Sequence, residues 1–275
     1  MQNPDGRPPF LPVFVISFNR GAFLQTVIAS YKKQDVDVEI VVHDNGSTDA
    51  ETVRILSELS DEGTKIYRYS AISAPEELDC VDLSVQRYRE ETGYQGPYVV
   101  TDCDIDLSET RQDALRTYLE LLDRFEEVEC VGPMLRIADI PRSYPLFNRV
   151  MERHISQFWH RQPEWAAVSA GRIAFLRHAI DTTLAVHRGG SSFRRLKSGL
   201  RVYHPFEARH LDWYVTAEDS IDYRVSSSPL ISHWDNEAEF AKYGSASDAV
   251  FSYRLVEGAM GALRTVTKST RDNPL

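Results

Sequence analysis

The order of apolar segments in roughly the first hundred residues constrains the fold of this chain more than any other feature. Four short segments that read as strands, at 10–18, 38–44, 65–70 and 97–102, alternate with three stretches of helical periodicity, and the first of them is a nearly continuous apolar run. Continuous apolar runs of this length are typical of strands buried on both faces of a parallel sheet. The alternation therefore predicts an α/β fold with a mostly parallel central sheet and helices on both faces.

The three helical stretches are recognised by apolar side chains spaced three and four residues apart. Their defining positions are Leu24, Val27, Ile28 and Tyr31 in the first, Thr52, Ile55, Leu56 and Leu59 in the second, and Leu78, Val81, Val85 and Tyr88 in the third. Thr48 followed by Glu51 predicts a capping box at the start of the second helix. The second half of the chain continues with a helix over 109–126 and another near Glu218, and with strands at 130–137, 171–178, 200–205 and 229–234.

Composition and charge exclude several classes of function. A net charge of −10 argues against a duplex nucleic acid as partner, because such binding needs a basic surface. Three cysteines at spacings that match no zinc pattern predict reduced thiols. The N-terminus lacks the features of a signal peptide, and no apolar run approaches the about 18 residues of a membrane span. We therefore expect a cytoplasmic protein without a transmembrane segment.

The stretch "YVVTDCDIDL" places Asp102, Asp104 and Asp106 at alternate positions after a buried strand. Residues two apart on an extended chain point to the same side, so the three carboxylates are expected to converge. Converging carboxylates suit a hard divalent cation, Mg²⁺ or Mn²⁺. A calcium loop is rejected, because Leu107 and Asp113 stand where that loop needs Gly and Glu. The alternative is a solvated loop whose acids favour the start of the next helix.

Four stretches in order resemble the nucleotide-sugar glycosyltransferases of the A-type fold, and are similar to family 2 enzymes. They are "VFVISFNR", "IVVHDNGSTD", "VVTDCDID", and "EARHLDWYVTAEDSIDYR" followed by "ISHW", and together they span residues 12–235. The resemblance implies one Rossmann-like glycosyltransferase domain over 1–275. Within it we expect a nucleotide-binding half at 10–107, an acceptor and catalytic half at 108–240, and a C-terminal extension at 241–275.

The resemblance also implies roles for individual residues. Those expected to bind the nucleotide are Ser17, Asn19, Arg20, Asp44, Asn45 and Asp102, with Asp49 shaping the second turn. Asp44 would accept a hydrogen bond from the base. Asp104 would ligate the metal, with Asp102 and His233 as further contacts. A lone His such as His233 has the alternative of a purely structural role.

An inverting sugar transfer needs a carboxylate that deprotonates the acceptor hydroxyl, and Asp212, Glu218 and Asp219 are the candidates. Asp212, between Leu211 and Trp213, is the preferred base, while Glu218 and Asp219 have the alternative of ordinary acids at a helix start. Arg136, Gly171 and Trp213 are candidate substrate-binding residues. Their alternatives are a surface arginine, a plain bulge and a core aromatic.

We therefore expect a metal-dependent glycosyltransferase of the hexosyl or N-acetylhexosaminyl class, using Mn²⁺ or Mg²⁺. It would move a sugar with inversion from a UDP-linked donor to a glycan or other hydroxyl acceptor, and the resemblance makes a place in polysaccharide biosynthesis plausible. The Gln-Arg-x-x-Arg-Trp motif of processive family 2 synthases is missing. Two other functions stay open: a sugar-nucleotide pyrophosphorylase, and a nucleotide-sugar-binding protein without catalysis.

Overall fold

A computed structural model describes residues 10–70, 80–159, 161–181, 183–215, 250–258 and 261–269, the last two ranges by their backbone alone. The strands are β1 (Leu11–Ser17), β2 (Val38–Asp44), β3 (Lys65–Arg68), β4 (Tyr98–Asp102), β5 (Ile105–Asp106), β6 (Cys130–Pro133), β7 (Glu164–Val168), β8 (Gly171–Arg177), β9 (Leu184–His187), β10 (Gly199–Val202), β11 (Arg209–His210), β12 (Val250–Gly258) and β13 (Gly261–Ser269). The helices are α1 (Gly21–Tyr31), α2 (Ala50–Asp61), α3 (Val81–Thr92), α4 (Ala114–Arg124) and α5 (Phe147–His154), with a π-helical turn over Ile155–Trp159 and a 3₁₀ turn over Leu211–Tyr214.

Nine of these strands form one sheet in the order β3-β2-β1-β4-β9-β6-β10-β8-β7. The block β3-β2-β1-β4 is parallel throughout, and β10 is parallel to β6. Strand β9 lies antiparallel between β4 and β6, and β8 and β7 extend the sheet antiparallel to their neighbours. The predicted α/β fold around a central sheet is confirmed, and strands from both expected halves of the chain belong to that sheet.

Alternate residues of β1 pack against different helices, which places helices on both faces of the sheet. Val13 and Val15 belong to the core cluster that contains α1, α2 and α4. Phe14, between them, belongs to a second cluster with Val85 and Tyr88 of α3. Because both faces are covered, the strand reads as a continuous apolar run rather than as an alternating one.

The start of α2 differs from the predicted capping box. The N-cap is Asp49 rather than Thr48, and its Oδ2 accepts hydrogen bonds at 2.8 Å from both the backbone N–H and the hydroxyl of Thr52. The backbone N–H of Thr48 is taken by Asn19 Oδ1 of the preceding loop. A carboxylate is a good N-cap acceptor and also complements the positive end of the helix dipole, so Asp49 takes this position.

Two strands of the nine-stranded sheet, β7 and β9, were not expected from the sequence. Strand β9 is the four-residue run "LAVH", too short to show a periodicity, and it exists because it pairs on both sides within the sheet. The predicted strand at 130–137 ends at Pro133 instead. The predicted strand at 229–234 and the helix near Glu218 lie outside the described residues.

The longest described helices have 12 residues, and none in the described part of the chain is long and apolar enough to cross a membrane.

His187 is a polar residue at the centre of the sheet. It lies on β9 opposite Tyr98 on one side and Cys130 on the other, and its ring stacks on Tyr98 at 5.1 Å between centroids. Both ring nitrogens are buried without a hydrogen-bond partner among the described residues. Burial, with a smaller contribution from the Lys197 cation, lowers the pKa of His187 to about 3. The imidazole is therefore neutral in the folded protein and serves as a packing residue.

Replacing His187 by Phe is expected to flatten the acid side of the pH–stability profile. The folded pKa lies below the unfolded value of 6.5, so below that pH the unfolded chain takes up a proton that the folded protein does not. Because of this group, the free energy of unfolding falls by about 1.4 kcal/mol for each unit by which the pH is lowered, from pH 6.5 down to the folded pKa. Urea unfolding of His187→Phe from pH 4 to 7 should show this slope missing.

His187→Gln separates titration from polarity. It should lose the same pH slope but unfold more easily at pH 7, since its amide would be buried without partners. A wild-type slope retained in His187→Phe would contradict the assignment of this proton uptake to His187.

Candidate active site

The carboxyl ends of the parallel strands bring the expected polar residues to one edge of the sheet. Ser17 at the end of β1 lies opposite Asp44 at the end of β2, and Ile16 lies opposite Asp102 at the end of β4. The backbone N–H of Asn45 donates to the Ser17 carbonyl at 2.9 Å, so the two strands stay joined one residue further. Open α/β sheets bind ligands beyond this edge.

Asn19 joins the loops that follow β1 and β2. Its side-chain Oδ1 accepts hydrogen bonds from the backbone N–H groups of Thr48 at 2.8 Å and Asp49 at 2.9 Å. Its own backbone N–H donates to Ser47 Oγ at 3.0 Å. Asn19 has φ of 47°, a left-handed conformation that Asn tolerates better than most residues. The reversal at Asn19 turns the chain into α1 and sets the position of the next residue, Arg20.

Asp44 is completely buried under the second turn. Its carboxylate accepts from Ser47 Oγ at 2.5 Å and from the Ser47 backbone N–H, and it pairs with Arg68 Nε at 3.2 Å. The side chain is 0% exposed. In this arrangement the Asp44 carboxylate holds the turn through Ser47, and its expected contact with a base stays a prediction.

Asn45, the next residue, belongs to a buried polar network. Its Oδ1 lies 2.9 Å from His43 Nε2 and 3.4 Å from Cys80 Sγ, while His43 Nδ1 lies 2.7 Å from Ser84 Oγ. Burial lowers the pKa of His43 to about 4, so the ring carries one proton. With this proton on Nε2, His43 donates to Asn45 Oδ1, and its Nδ1 accepts from the Ser84 hydroxyl. The network then fixes the Asn45 amide with its oxygen inward.

A short ladder joins residues 105–106, at the end of the acidic segment, to residues 209–210. Strand β5 pairs antiparallel with β11, with Ile105 opposite His210 and Asp106 opposite Arg209. The Leu211 backbone N–H donates to the carbonyl of Asp104 at 2.7 Å. Residues more than a hundred positions apart in sequence therefore lie next to each other at the edge of the sheet.

The predicted convergence of three carboxylates is wrong for Asp106. Its two oxygens accept from the backbone N–H and hydroxyl of Ser108, at 3.0 and 2.5 Å, and the residue is buried. A turn at 103–104 interrupts the extended chain, so the two-residue alternation does not hold through the segment. Asp106 instead closes the turn that follows β5.

Arg20 bridges the expected metal ligand and the expected base. Its Nη1 lies 2.7 Å from Asp104 Oδ2 and its Nη2 lies 2.7 Å from Asp212 Oδ1. The three side chains are between 11 and 14% exposed. The hydroxyl of Tyr144 lies 3.4 Å from the other oxygen of Asp212. Charge-assisted bonds of this geometry are among the stronger polar contacts in proteins.

Trp213 is buried next to Asp212, and its ring packs between two histidines. Its ring is stacked on His210 at 4.6 Å with an interplanar angle of 3°, and His154 meets it edge-on at 4.9 Å. The residue is 3% exposed. Of the two possibilities that the sequence left open for Trp213, the core aromatic is the one that fits this burial.

The residues present fit a hard divalent cation in one respect. Asp104 is 7% exposed, and its Oδ1 is buried without a hydrogen-bond partner among the described residues. A carboxylate oxygen in that situation is costly unless a cation or donor meets it. Asp102 stands at the end of β4, partly exposed, two residues before it. Within the described part of the chain no three His, Cys, Asp or Glu side chains are grouped as a metal site, and His233 lies outside that part.

Two expected substrate residues, Gly171 and Arg136, have surroundings that differ from those of the Arg20 cluster. Gly171 is the exposed first residue of β8, directly after the turn from β7, with φ of 111°; it lies towards the far edge of the sheet from β1, so it is a hairpin glycine. Arg136 pairs with Glu109 at 2.5 Å and with Asp139 at 2.6 Å in a partly exposed network. Glu218 and Asp219, the other candidate bases, lie outside the described residues.

Sequence reasoning missed Tyr144, His210 and His154, which line the Asp212 side of the site. For His210 a signal existed, because it stands two residues before Asp212 in the segment that resembles the catalytic one. Tyr144 and His154 carry no such signal, since they come from a proline-rich loop and from α5.

Comparisons with known proteins agree with the resemblance noted from the sequence. Residues 13–71 match the family model described as "Glycosyl transferase family 2". The matched segment runs from β1 to the residues after β3 and includes Asn19, Arg20 and the turn at Asp44. The predicted resemblance to family 2 glycosyltransferases is confirmed by this match. No curated protein matches the chain significantly.

Several solved structures are similar to parts of this chain. A mannosyltransferase from Pyrobaculum calidifontis is 14% identical with a TM-score of 0.48, over 82% of this chain and 62% of that one. TarS of S. aureus, residues 1–349, is 14% identical with a TM-score of 0.39, over 66% and 47%. Glucosyl-3-phosphoglycerate synthase from Mycobacterium tuberculosis is 15% identical with a TM-score of 0.35, over 66% and 56%. The chain thus spans about half to three fifths of the length of these proteins.

Replacing Asn19 by Ala is expected to destabilise the protein by about 1–3 kcal/mol. The variant loses both hydrogen bonds to the second turn and forces Ala into a left-handed conformation. Asn19→Asp, the matched control, keeps an acceptor oxygen and tolerates this φ, so it should lose less. Urea unfolding at neutral pH measures both, and equal losses would show that the side-chain acceptor is not what joins the loops.

Proposed function

We propose that this chain is a glycosyltransferase that moves a sugar from a nucleoside-diphosphate donor to a hydroxyl acceptor. The observation that carries the proposal is the convergence of Asp104 and Asp212 on Arg20, at the edge where the parallel strands end. Ligands of open α/β sheets bind beyond that edge. The family match supports the proposal, because the matched residues 13–71 build the same edge.

The nucleotide is assigned to the two joined loops after β1 and β2, and we take the donor to be UDP-linked. Ser17 offers a hydroxyl without a hydrogen-bond partner among the described residues, at the end of β1. Asn45 offers an amide whose orientation is fixed by His43 and Cys80. Asp44 contributes by holding the turn through Ser47. These groups are preorganised, so little ordering is needed when a nucleotide binds.

Asp102 and Asp104 would hold Mn²⁺ or Mg²⁺, and His233 is proposed as the third contact. The buried, unpartnered Oδ1 of Asp104 is the atom that fits this role. A bound cation supplies stabilisation of the negative charge that develops on the leaving diphosphate.

Asp212 is proposed as the base that takes the proton from the acceptor hydroxyl, in an inverting transfer. Arg20 holds its Oδ1, and Tyr144 approaches its Oδ2. A base must start unprotonated, and an ion pair favours the charged form of a carboxylate. The backbone contact between Leu211 and Asp104 fixes the distance between this base and the proposed cation ligand.

UDP and UDP-sugars are expected to stabilise the protein in the presence of Mn²⁺, by about 2.7 kcal/mol at a concentration of 100 dissociation constants. Thermal-shift screening of nucleotide sugars with Mn²⁺ or with EDTA measures this, and calorimetry gives the affinity.

In Asp104→Asn the Mn²⁺ dependence of UDP binding should disappear while the fold is kept. If no nucleotide sugar binds under either condition, the proposed function is wrong; if Asp104→Asn keeps the Mn²⁺ dependence, only the metal assignment is wrong.

Replacing Asp212 by Asn is expected to lower kcat by a factor of about 10²–10⁴ while donor binding survives. Asp219→Asn is the matched comparison in the same segment. If Asp219 serves as a helix acid, its loss should cost about 0.5–2 kcal/mol of stability and leave turnover largely intact. Normal turnover of Asp212→Asn with an impaired Asp219→Asn would transfer the role of base to Asp219.

A further inference from the structure

The guanidinium of Arg20 provides positive charge to the acidic cluster at the edge of the sheet. Arg20 forms one 2.7 Å contact with Asp104 and one with Asp212, and all three side chains are largely removed from solvent. Asp102, at the end of β4, precedes Asp104 by two residues and is partly exposed. Carboxylates this close repel one another more strongly when they are partly buried, so the cluster depends on a cation.

Arg20 is held for this task from two sides. The left-handed turn at Asn19 places it at the start of α1, and Asn19 itself is anchored to the second loop. The guanidinium also lies over the ring of Phe23, with its Cζ 5.3 Å from the centroid. A planar fork with donors on two nitrogens can serve two carboxylates at once, which a lysine ammonium does less well.

The contacts of Asp104 divide between its two oxygens. Oδ2 belongs to Arg20, with His210 Nδ1 at 3.8 Å, whereas Oδ1 is buried and has no hydrogen-bond partner among the described residues. A divalent cation that binds Asp104 would therefore come within a few ångströms of the guanidinium. Two positive charges at that distance in a partly dry site repel strongly.

We infer that Arg20 is an internal counterion that stands in for the divalent cation, and that the two compete for Asp104. Entry of the cation weakens the Arg20–Asp104 pair and leaves Asp212 as the remaining carboxylate partner of Arg20 in this cluster. Arg20 is in this sense a positioning residue that couples cation binding to the proposed base. The inference rests on the proposed function, because it takes Asp104 as the cation ligand.

The test is the affinity of the full chain for Mn²⁺ in the absence of any nucleotide. Electron paramagnetic resonance measures it through the signal of the free ion. Arg20→Gln should bind Mn²⁺ more tightly than wild type, on the order of tenfold, because the competing charge is gone. Arg20→Lys, which keeps the charge, should remain close to wild type. Arg68→Gln is the matched control, since Arg68 pairs with Asp44 at the same edge and should leave Mn²⁺ binding unchanged.

A second comparison keeps the test decisive if the uncompensated carboxylates prevent Arg20→Gln from folding. The double variant Arg20→Gln with Asp212→Asn removes one charge of each sign and so preserves the balance of the cluster. It should bind Mn²⁺ more tightly than Asp212→Asn alone. Thermal unfolding adds a readout, because Mn²⁺ should raise the Tm of the variants without Arg20 more than that of their parents.

Unchanged or weaker Mn²⁺ binding after loss of Arg20 would overturn the inference and would make Arg20 an organiser of the cation site instead. Absence of Mn²⁺ binding in wild type and variants alike would also overturn it. Neither result decides the proposed function, which depends on nucleotide-sugar binding and sugar transfer measured separately.

Discussion

The two-pronged contact of Arg20 with Asp104 and Asp212 is the interaction on which the arrangement of this site depends. It neutralises carboxylates that would otherwise repel each other at a largely buried position. It also connects three segments that are distant in sequence: the loop after β1, the turn after β4, and the 3₁₀ turn at 211–214. Without a cation here, the cost of burying these acids would fall on the contacts that bring the segments together.

The surrounding structure gives this contact a fixed frame. Asn19 joins the first two loops through its side chain. The buried carboxylate of Asp44 accepts a hydrogen bond from the Ser47 hydroxyl and so holds the second loop. On the other side, the β5–β11 ladder and the Leu211–Asp104 backbone hydrogen bond hold the Asp212 segment against the acidic turn. Most of these bonds are backbone or buried, so the edge is organised before any ligand arrives. Preorganisation of this kind is what allows charged groups to act on a reacting substrate without reorganising first.

The fold of the first half could be read from the sequence, and much of the second half could not. Strand β1 and residues 40–42 of β2 are apolar runs because both faces of the sheet are covered there, and that burial is visible as composition. Strand β9 is a four-residue run whose existence depends on pairing with β4 and β6 on either side. Its pairing partners lie far away in the chain, and local propensity carries no information about them.

The candidate site divides in the same way. The sequence by itself determined which acids stand at strand ends, because strand periodicity and the position of Asp44, Asp102 and Asp104 are local properties. Only the tertiary structure decided what each acid does: Asp106 turned back to Ser108, Asp44 became sealed under its own loop, and Asp104 met Arg20 and Asp212. The physical reason is that a carboxylate's role depends on which donors and charges reach it. Those partners are supplied by segments that only the folded sheet brings together.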